Sequence, residues 1–294
     1  MFNLILAIIS SSLVSITMRL GEGRAKNNIS MLSVNYFICM ILSVLYTGIG
    51  NLFQIGDGIG TAISLGTING FFYIFSLILF QNSVKKNGVV LSSIFMKLGI
   101  MMPLIISIVL FGEVPTIIQI IGFVIAIAAI VLINLKEKTS QDTLEKIGEI
   151  SSQKEKKHSS IKFGLILVLL GCGTADGMSK IYQELGTDRF EEVFLVFTFV
   201  IAFLLSIVLV KIKKQGFTAS EFFYGAMLGI PNYFSARFLL KSLGEIPAVV
   251  AYPTFSIGTI AVITLTGVLV FKEKITKRQM SAIGLIAIAV VLLN

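Results

Sequence analysis

The feature that most constrains this chain is a series of apolar stretches, each about twenty residues long and separated by short polar breaks. A hydrocarbon core about 30 Å thick requires about 20 apolar residues in helical form, so this pattern is typical of transmembrane helices. Within a bilayer, backbone polar groups must be hydrogen-bonded inside the protein, which excludes irregular backbone facing lipid. The pattern therefore predicts an all-α membrane protein.

Composition and charge support this class. Charged residues make up 14% of the chain, whereas soluble domains carry about 25%. The net charge of +8 does not indicate nucleic-acid binding, because the basic residues lie mainly in the breaks between apolar stretches. The sequence contains no nucleotide-binding motif, metal-ligand cluster or nucleophile–base pair. We therefore expect no enzyme activity, no cofactor, no metal and no nucleic-acid partner.

Ten transmembrane spans are predicted. They cover residues 2–20, 30–50, 59–80, 88–111, 115–135, 162–183, 190–212, 219–241, 246–271 and 275–294. A polar stretch at 136–160, which contains the single histidine, is interpreted as a solvated cytoplasmic linker. It divides the chain into two sets of five spans, 1–135 and 161–294.

The two sets are related in sequence. A shift of 160 residues aligns 89–134 with 249–294 without a gap. The matched polar pairs are Glu113/Glu273, Thr116/Thr276 and Gln119/Gln279. Because five is an odd number, the second copy must enter the membrane from the opposite side. The sequence therefore predicts two inverted five-helix repeats, an architecture typical of secondary transporters with a substrate site near the midplane.

Two paired segments carry a resemblance to a known family. Each has an apolar helix ending in Phe-x-Glu, at Phe111–Glu113 and Phe271–Glu273, followed by a Gln and a final apolar helix. In these features the chain resembles the drug/metabolite transporter superfamily, in its ten-helix form with two EamA-like domains. The resemblance implies a transporter of small metabolites, amino acids, nucleotide sugars or drugs, without a prosthetic group.

The distribution of basic residues predicts the orientation. Most Lys and Arg residues outside the spans lie in odd-numbered loops, whereas the even-numbered loops hold only Arg189 and Lys241. The positive-inside rule then places both termini outside the cytoplasmic membrane and the linker in the cytoplasm. Many members of the superfamily begin with Lys or Arg, which keeps the N-terminus inside, but this chain begins MFNLILAI. The predicted orientation is thus opposite to the one that the resemblance implies.

Ionisable residues within the spans are the first candidate site residues. Lys97 lies about 15 Å into span 4, near the midplane, where a lysine costs roughly 2.5–3.5 kcal/mol on insertion scales. We interpret Lys97 as facing a polar cavity. Asp176 and Lys180 are four residues apart and can pair on one helix face, as a structural ion bridge or within a substrate site. Arg237 either extends to the outer interface or, with Lys97, is available for a carboxylate or phosphate.

Polar uncharged side chains in the same spans are further candidates. They are Asn69 and Tyr73 in span 3, Asn232 and Tyr233 in span 8, and Tyr252 in span 9. We interpret them either as cavity lining or as interhelical hydrogen-bonding groups. The serines between residues 10 and 15 are interpreted as close packing, and Glu113 as a structural residue at a helix N-terminus.

Together these residues favour a secondary transporter that moves a small polar metabolite across the cytoplasmic membrane by alternating access. An amino acid, an organic anion or another zwitterion is the favoured substrate. One alternative is a lipid-carrier or glycolipid translocase on the same fold, whose basic residues would bind a lipid phosphate. Another is a non-transporting membrane receptor or assembly partner. We expect a monomer, because both repeats lie in one chain.

Overall fold

The computed structural model describes residues 1–21, 24–48, 50, 56–87, 96, 99, 101–134, 157–269, 281, 284, 285, 288, 289, 291 and 292. The α-helices of this part of the chain are α1 Phe2–Gly21, α2 Asn28–Thr47, α3 Ile59–Asn87, α4 Met101–Phe111, α5 Ile117–Asn134, α6 Lys157–Leu185, α7 Glu191–Ile212, α8 Ala219–Glu245 and α9 Ala248–Leu269. A 3₁₀ turn, Asp188–Phe190, precedes α7, and the described residues contain no strand.

The helices follow the order of the predicted spans. Each of α1–α9 overlaps one of the first nine, and the all-α prediction is confirmed for the described residues. Four helical segments in this part of the chain are long and apolar enough to cross a bilayer: Asn28–Thr47, Ile59–Phe80, Gly164–Leu185 and Asp188–Ile212. Most of the predicted tenth span and most of the predicted linker lie outside the described residues.

Two helices begin at reciprocal side-chain caps. The backbone N–H of Thr116 donates to the Gln119 side chain at 3.0 Å, and that of Gln119 donates to the Thr116 hydroxyl at 3.3 Å. Thr218 and Glu221 form a capping box at the start of α8. Such caps satisfy N–H groups that have no partner within the helix. Part of the repeat signature, Thr116 and Gln119, is therefore a helix cap.

Helix α3 packs closely against α7 through two glycines four residues apart. A Cβ atom at Gly66 would lie 2.5 Å from the carbonyl oxygen of Phe194, and one at Gly70 would lie 2.6 Å from the Cβ of Ile201. Glycine therefore permits a backbone approach that any side chain would prevent, as in other small-residue contacts between membrane helices.

Helix α8 packs against α2 in the same way. A Cβ atom at Gly225 would lie 2.6 Å from the carbonyl oxygen of Met31, and one at Gly229 would lie 2.7 Å from the Cβ of Ile38. The spacing and the close backbone approach match those of α3 on α7. These two contacts, together with the packing of α2 against α7, join α2, α3, α7 and α8 at the centre of the molecule.

The outer surface is apolar. In α1, Ile5, Ile9 and Leu13 follow one another at intervals of four residues and are about half exposed. Residues at this spacing share one helix face. An exposed apolar face of this length is what a helix in contact with lipid presents.

Apart from α5, the helices other than α2 and α7 form two groups around these two. Helix α1 packs against α8 and α9, whereas α3 and α4 pack against α6. Exchanging the two halves of the chain, so that α1 replaces α6, α3 replaces α8 and α4 replaces α9, converts one group into the other. We call α1, α8 and α9 the first group and α3, α4 and α6 the second group.

Candidate functional site

A cavity of about 260 Å³ lies between the two groups. On the first-group side it is lined by α1, α8 and α9; on the other side it is lined by α3, α6 and Met96, which precedes α4. The polar residues of its described lining are Ser11, Tyr73, Ser76, Cys172, Asp176, Asn232, Ser235, Tyr252 and Ser256. The cavity therefore lies between apolar helices but has many hydrogen-bonding groups on its wall.

Four residues predicted from the sequence line this cavity: Tyr73, Asp176, Asn232 and Tyr252. The Tyr252 hydroxyl donates to the backbone carbonyl oxygen of Asp176 at 2.8 Å, which joins α9 to α6. The amide nitrogen of Asn232 donates to Oδ1 of Asn35 at 3.1 Å. Asp176 is an exposed residue, whereas Tyr252 is buried.

The described lining of the cavity carries a negative charge at Asp176. Asp176 is the one acidic residue there, and that lining includes no Lys, Arg or His. A carboxylate surrounded by hydroxyl groups is suited to a ligand ammonium group, because hydrogen bonds in which both partners are charged are the stronger ones.

Lys180 does not form the pair with Asp176 that its spacing suggested. Its ammonium group lies 2.6 Å from Oε1 of Glu113 and also bonds to Glu184, and the side chain is 2% exposed. Burial opposes ionisation of Glu113, but the hydrogen bonds that the carboxyl accepts and the positive charge of Lys180 together outweigh burial and lower the pKa of that carboxyl. Glu113 is therefore a counter-ion at neutral pH, and the interpretation of it as a helix-terminal residue is wrong.

Arg237 is also neutralised within the protein. Its Nε donates to Glu192, and the Tyr233 hydroxyl donates to the other carboxylate oxygen of Glu192 at 2.8 Å. The guanidinium carbon lies 4.3 Å from the ring centroid of Tyr46, within the range of a cation–π contact. The interpretation of Arg237 as available for a substrate anion is therefore wrong. Sequence reasoning missed Glu192 because an acid in a first helical turn is expected on dipole grounds alone.

The remaining predicted residues lie elsewhere. Asn69 is buried, and its amide nitrogen donates to Oγ1 of Thr198 at 3.4 Å, so it contributes to the contact between α3 and α7. Tyr233 belongs to the cluster around Glu192. Lys97 lies outside the described residues, although Met96, its neighbour in sequence, lines the cavity.

Serine hydroxyls are the part of the lining that sequence reasoning missed. Ser11, interpreted as close packing, lines the cavity, whereas Ser12 donates to the carbonyl oxygen of Ile8 at 2.7 Å within its own helix. The internal repeat in the sequence could have identified Ser11 as a lining residue. Aligning Leu4-Ile5-Leu6 with Leu165-Ile166-Leu167, a shift of 161 residues, places Ser11 opposite Cys172, and both residues line the cavity.

An all-α fold with helices long enough to span a membrane and a polar cavity between two helix groups is typical of membrane transporters. The profile of the EamA-like transporter family matches residues 1–135 and 159–294. The chain belongs to this family, within the drug/metabolite transporter superfamily, and the resemblance found in the sequence is confirmed. Proteins of this family are integral membrane transporters.

Two further comparisons extend over most of the chain. An uncharacterised protein of Haemophilus influenzae is 26% identical over 288 residues, which cover 94% of this chain and 92% of that protein. One solved crystal structure matches with a TM-score of 0.74 over 99% of this chain and 94% of the other, at 15% identity. That likeness shows a shared fold.

Proposed function

We propose that this protein is a secondary transporter that carries a small zwitterionic metabolite, such as an amino acid, across the cytoplasmic membrane by alternating access. The observation that carries the proposal is the cavity between the two helix groups, with Asp176 and several hydroxyl groups on its wall. The Asp176 carboxylate would bind the ammonium group of the substrate. The hydroxyls of Ser11, Ser235 and Ser256 would bind its polar atoms.

Lys97 is the proposed partner for the substrate carboxylate. It follows Met96, which lines the cavity, and the sequence places it near the midplane of span 4. Since Lys180 and Arg237 are bound to glutamates, a purely anionic substrate has less support than a zwitterion.

Cavity size also favours a small metabolite. Drug-sized ligands occupy pockets of about 300–1,000 Å³, and this cavity is about 260 Å³. A glycolipid head group with several sugars requires more space. The basic residues that a lipid phosphate would need, Lys180 and Arg237, are already paired.

We also propose the architecture predicted from the sequence: ten spans in two inverted repeats, termini outside and the linker in the cytoplasm. The family profile matches each half separately, and the glycine contacts of α3 on α7 resemble those of α8 on α2. Labelling of a cysteine introduced into the linker tests the orientation. Modification by a membrane-impermeant reagent outside intact cells would refute it. We propose a monomeric transport unit, because one chain supplies the described lining.

Thermal stabilisation of the purified protein tests the substrate class. The ligands are an amino acid, the amine that lacks its carboxyl group, the acid that lacks its amino group, and a polyprenyl phosphate. A ligand that binds the native state raises the melting temperature. We expect the amino acid to stabilise the protein more than either single-charge analogue does.

Two variants assign the binding groups. Asp176→Asn should abolish stabilisation by the amino acid, and Lys97→Met should weaken it. Asp188→Asn is the matched control, because Asp188 is an exposed acid in the 3₁₀ turn. Stabilisation by the acid alone would instead support an anion transporter, and stabilisation by the polyprenyl phosphate alone would support a translocase. Equal stabilisation of wild type and Asp176→Asn would exclude Asp176 from the site.

A further inference from the structure

The two helix groups meet at one end of the cavity. At this end the turns 112–116, 186–190 and 246–247 connect the helices, and we call it the Glu113 end. Here Gly244 of α8 packs against Gln183 of α6 so closely that a Cβ atom on the glycine would lie 2.6 Å from Nε2. The first and second groups are therefore in direct contact beyond the cavity wall.

Tyr252 makes a directed bond across the same boundary. Its ring belongs to α9 in the first group, and its hydroxyl donates to the carbonyl oxygen of Asp176 on α6 in the second group, at 2.8 Å. Tyr252 is 2% exposed although it lines the cavity. Its ring therefore fills the space between α9 and α6 at the Glu113 end.

The part of α6 that carries the acceptor, the carbonyl oxygen of Asp176, is held in place by ion pairs. Lys180 lies one helical turn beyond Asp176 on α6 and is bound to Glu184 on the same helix and to Glu113 in the turn after α4. These ion pairs join parts of the second group to one another. In contrast, the Tyr252 hydroxyl bond joins the second group to the first, so it must break if the groups separate at this end.

We propose that Tyr252 is the gate residue of the Glu113 end, and that its bond to the Asp176 carbonyl closes the cavity on that side. This inference rests on the proposed transport function and adds a residue with a defined role to it. Asp176 then has two functions: its side chain faces the transported substrate, and its backbone carbonyl oxygen accepts the hydrogen bond from the Tyr252 hydroxyl. Occupancy of the cavity and closure of the gate would therefore involve the same turn of α6.

Cys172, which lines the cavity, provides a native reporter. The rate at which a membrane-impermeant maleimide modifies Cys172 is measured from each face of the membrane, in intact cells and in inverted vesicles, without added substrate. Cys39 is buried, and a Cys172→Ser variant gives the background. A separate Asp188→Cys variant identifies the face that carries the Glu113 end, so the result does not depend on the predicted orientation.

Tyr252→Phe removes the hydroxyl and keeps the ring. A net hydrogen bond of ordinary strength shifts an open–closed equilibrium about two- to tenfold, and we expect labelling of Cys172 from the Glu113 face to rise by that factor. Labelling from the opposite face should not rise. Tyr233→Phe is the matched control, because the Tyr233 hydroxyl bonds to Glu192 on α7 and not across the two groups.

Unchanged labelling in Tyr252→Phe would overturn the gate, and so would an equal rise from both faces, which indicates general loosening. Melting temperatures of both variants establish that they are folded. Because the assay contains no substrate, its result is independent of the substrate class. An amino acid that fails to protect Cys172 in the wild type would count against the proposed substrate and would leave the gate result intact.

Discussion

The contact of α3 with α7 and the contact of α8 with α2 have the same backbone packing but different polar content. Each uses two glycines four residues apart, and in each an amide side chain donates to the partner helix: Asn69 to Thr198 and Asn232 to Asn35. When Gly66 and Gly70 are superimposed on Gly225 and Gly229, Thr198 of α7 and Asn35 of α2 occupy equivalent positions.

The ends of these two interfaces differ. In the register set by the glycines, Glu221 of α8 corresponds to Ala62 of α3, and Arg237 corresponds to Ile78. Glu221 accepts a hydrogen bond from the backbone of Asn27 at 2.9 Å, and Arg237 contacts the Tyr46 ring. The corresponding residues of α3 are apolar. The two interfaces thus share their glycine packing, whereas charged residues distinguish one interface from the other.

The largest expected loss of stability comes from removing the charge of Arg237, which has no counterpart at the equivalent position of α3. Arg237→Met leaves Glu192, which is 17% exposed, without its cation. Both side chains are partly buried, and breaking the pair should cost about 3 kcal/mol of unfolding free energy, the lower end of the range for buried pairs. Ile78→Met, the equivalent change in α3, keeps an apolar side chain of similar volume and should cost less than about 1.5 kcal/mol. Equilibrium unfolding in mixed micelles measures both.

A double variant separates loss of the charge pair from loss of packing. Glu192→Leu combined with Arg237→Met leaves no unpaired carboxylate, so it should recover most of the lost stability. If the double variant is as unstable as Arg237→Met, the charge pair is not what stabilises this end of the α8–α2 interface.

The glycine contacts should respond alike to an added methyl group. Gly66→Ala and Gly225→Ala each place a Cβ atom against a carbonyl oxygen, at 2.5 and 2.6 Å, and overpacking of this kind costs about 1–3 kcal/mol. Gly60→Ala is the control, because a Cβ atom there meets nothing within 4 Å. Unfolding of all three is compared under one condition. A large difference between the first two would mean that the interfaces are not packed equivalently.

The two amide bonds should differ in strength. Asn232→Leu removes the donor to Oδ1 of buried Asn35 and should cost about 1 kcal/mol. The corresponding bond of Asn69 is longer, at 3.4 Å, and its Oδ1 has no hydrogen-bond partner among the described residues. Replacing it by leucine should be near neutral, since it removes a buried acceptor that is already unsatisfied. Equal costs in the same unfolding assay would contradict this ranking.

An effect smaller than those at Arg237 and at the glycines is expected at the start of α8. Glu221→Gln keeps an oxygen that can accept from Asn27 or Thr218 but removes the charge, and should cost less than about 1 kcal/mol. Glu221→Ala, which removes the acceptor altogether, should cost more. Hydrogen exchange of the Asn27 amide reports the local change. Equal exchange rates in wild type and Glu221→Ala would show that this bond does not hold the start of α2.

Sequence reasoning located part of the site because depth along a helix can be counted. Asp176, Tyr73 and Tyr252 are polar residues well inside apolar segments, and each of them lines the cavity. For Lys180, spacing along the helix suggested Asp176, four residues earlier, whereas the structure pairs it with Glu184, four residues later, and with Glu113. Glu113 lies 67 residues away, in a turn that the sequence assigns to the space between spans, so helix spacing does not reveal it.

Rotation of the helices is the second reason for the failures. Asn69 and Tyr73 are four residues apart on α3, yet Tyr73 lines the cavity while Asn69 faces Thr198 of α7. A hydropathy pattern defines faces poorly when nearly every residue of a helix is apolar. Polar residues that are close in sequence are then predicted to share one site, although in the folded protein they lie in different places.

By itself, the sequence determined the all-α class, the order of the helices and the family, because each follows from local hydrophobicity and from an internal repeat. The tertiary structure decided which carboxylates neutralise each base, Glu113 and Glu184 for Lys180 and Glu192 for Arg237. It also decided which polar residues meet across the cavity. Those choices depend on the rotation and depth of one helix relative to another, since side chains on different helices pair only where packing brings their ends within hydrogen-bonding distance.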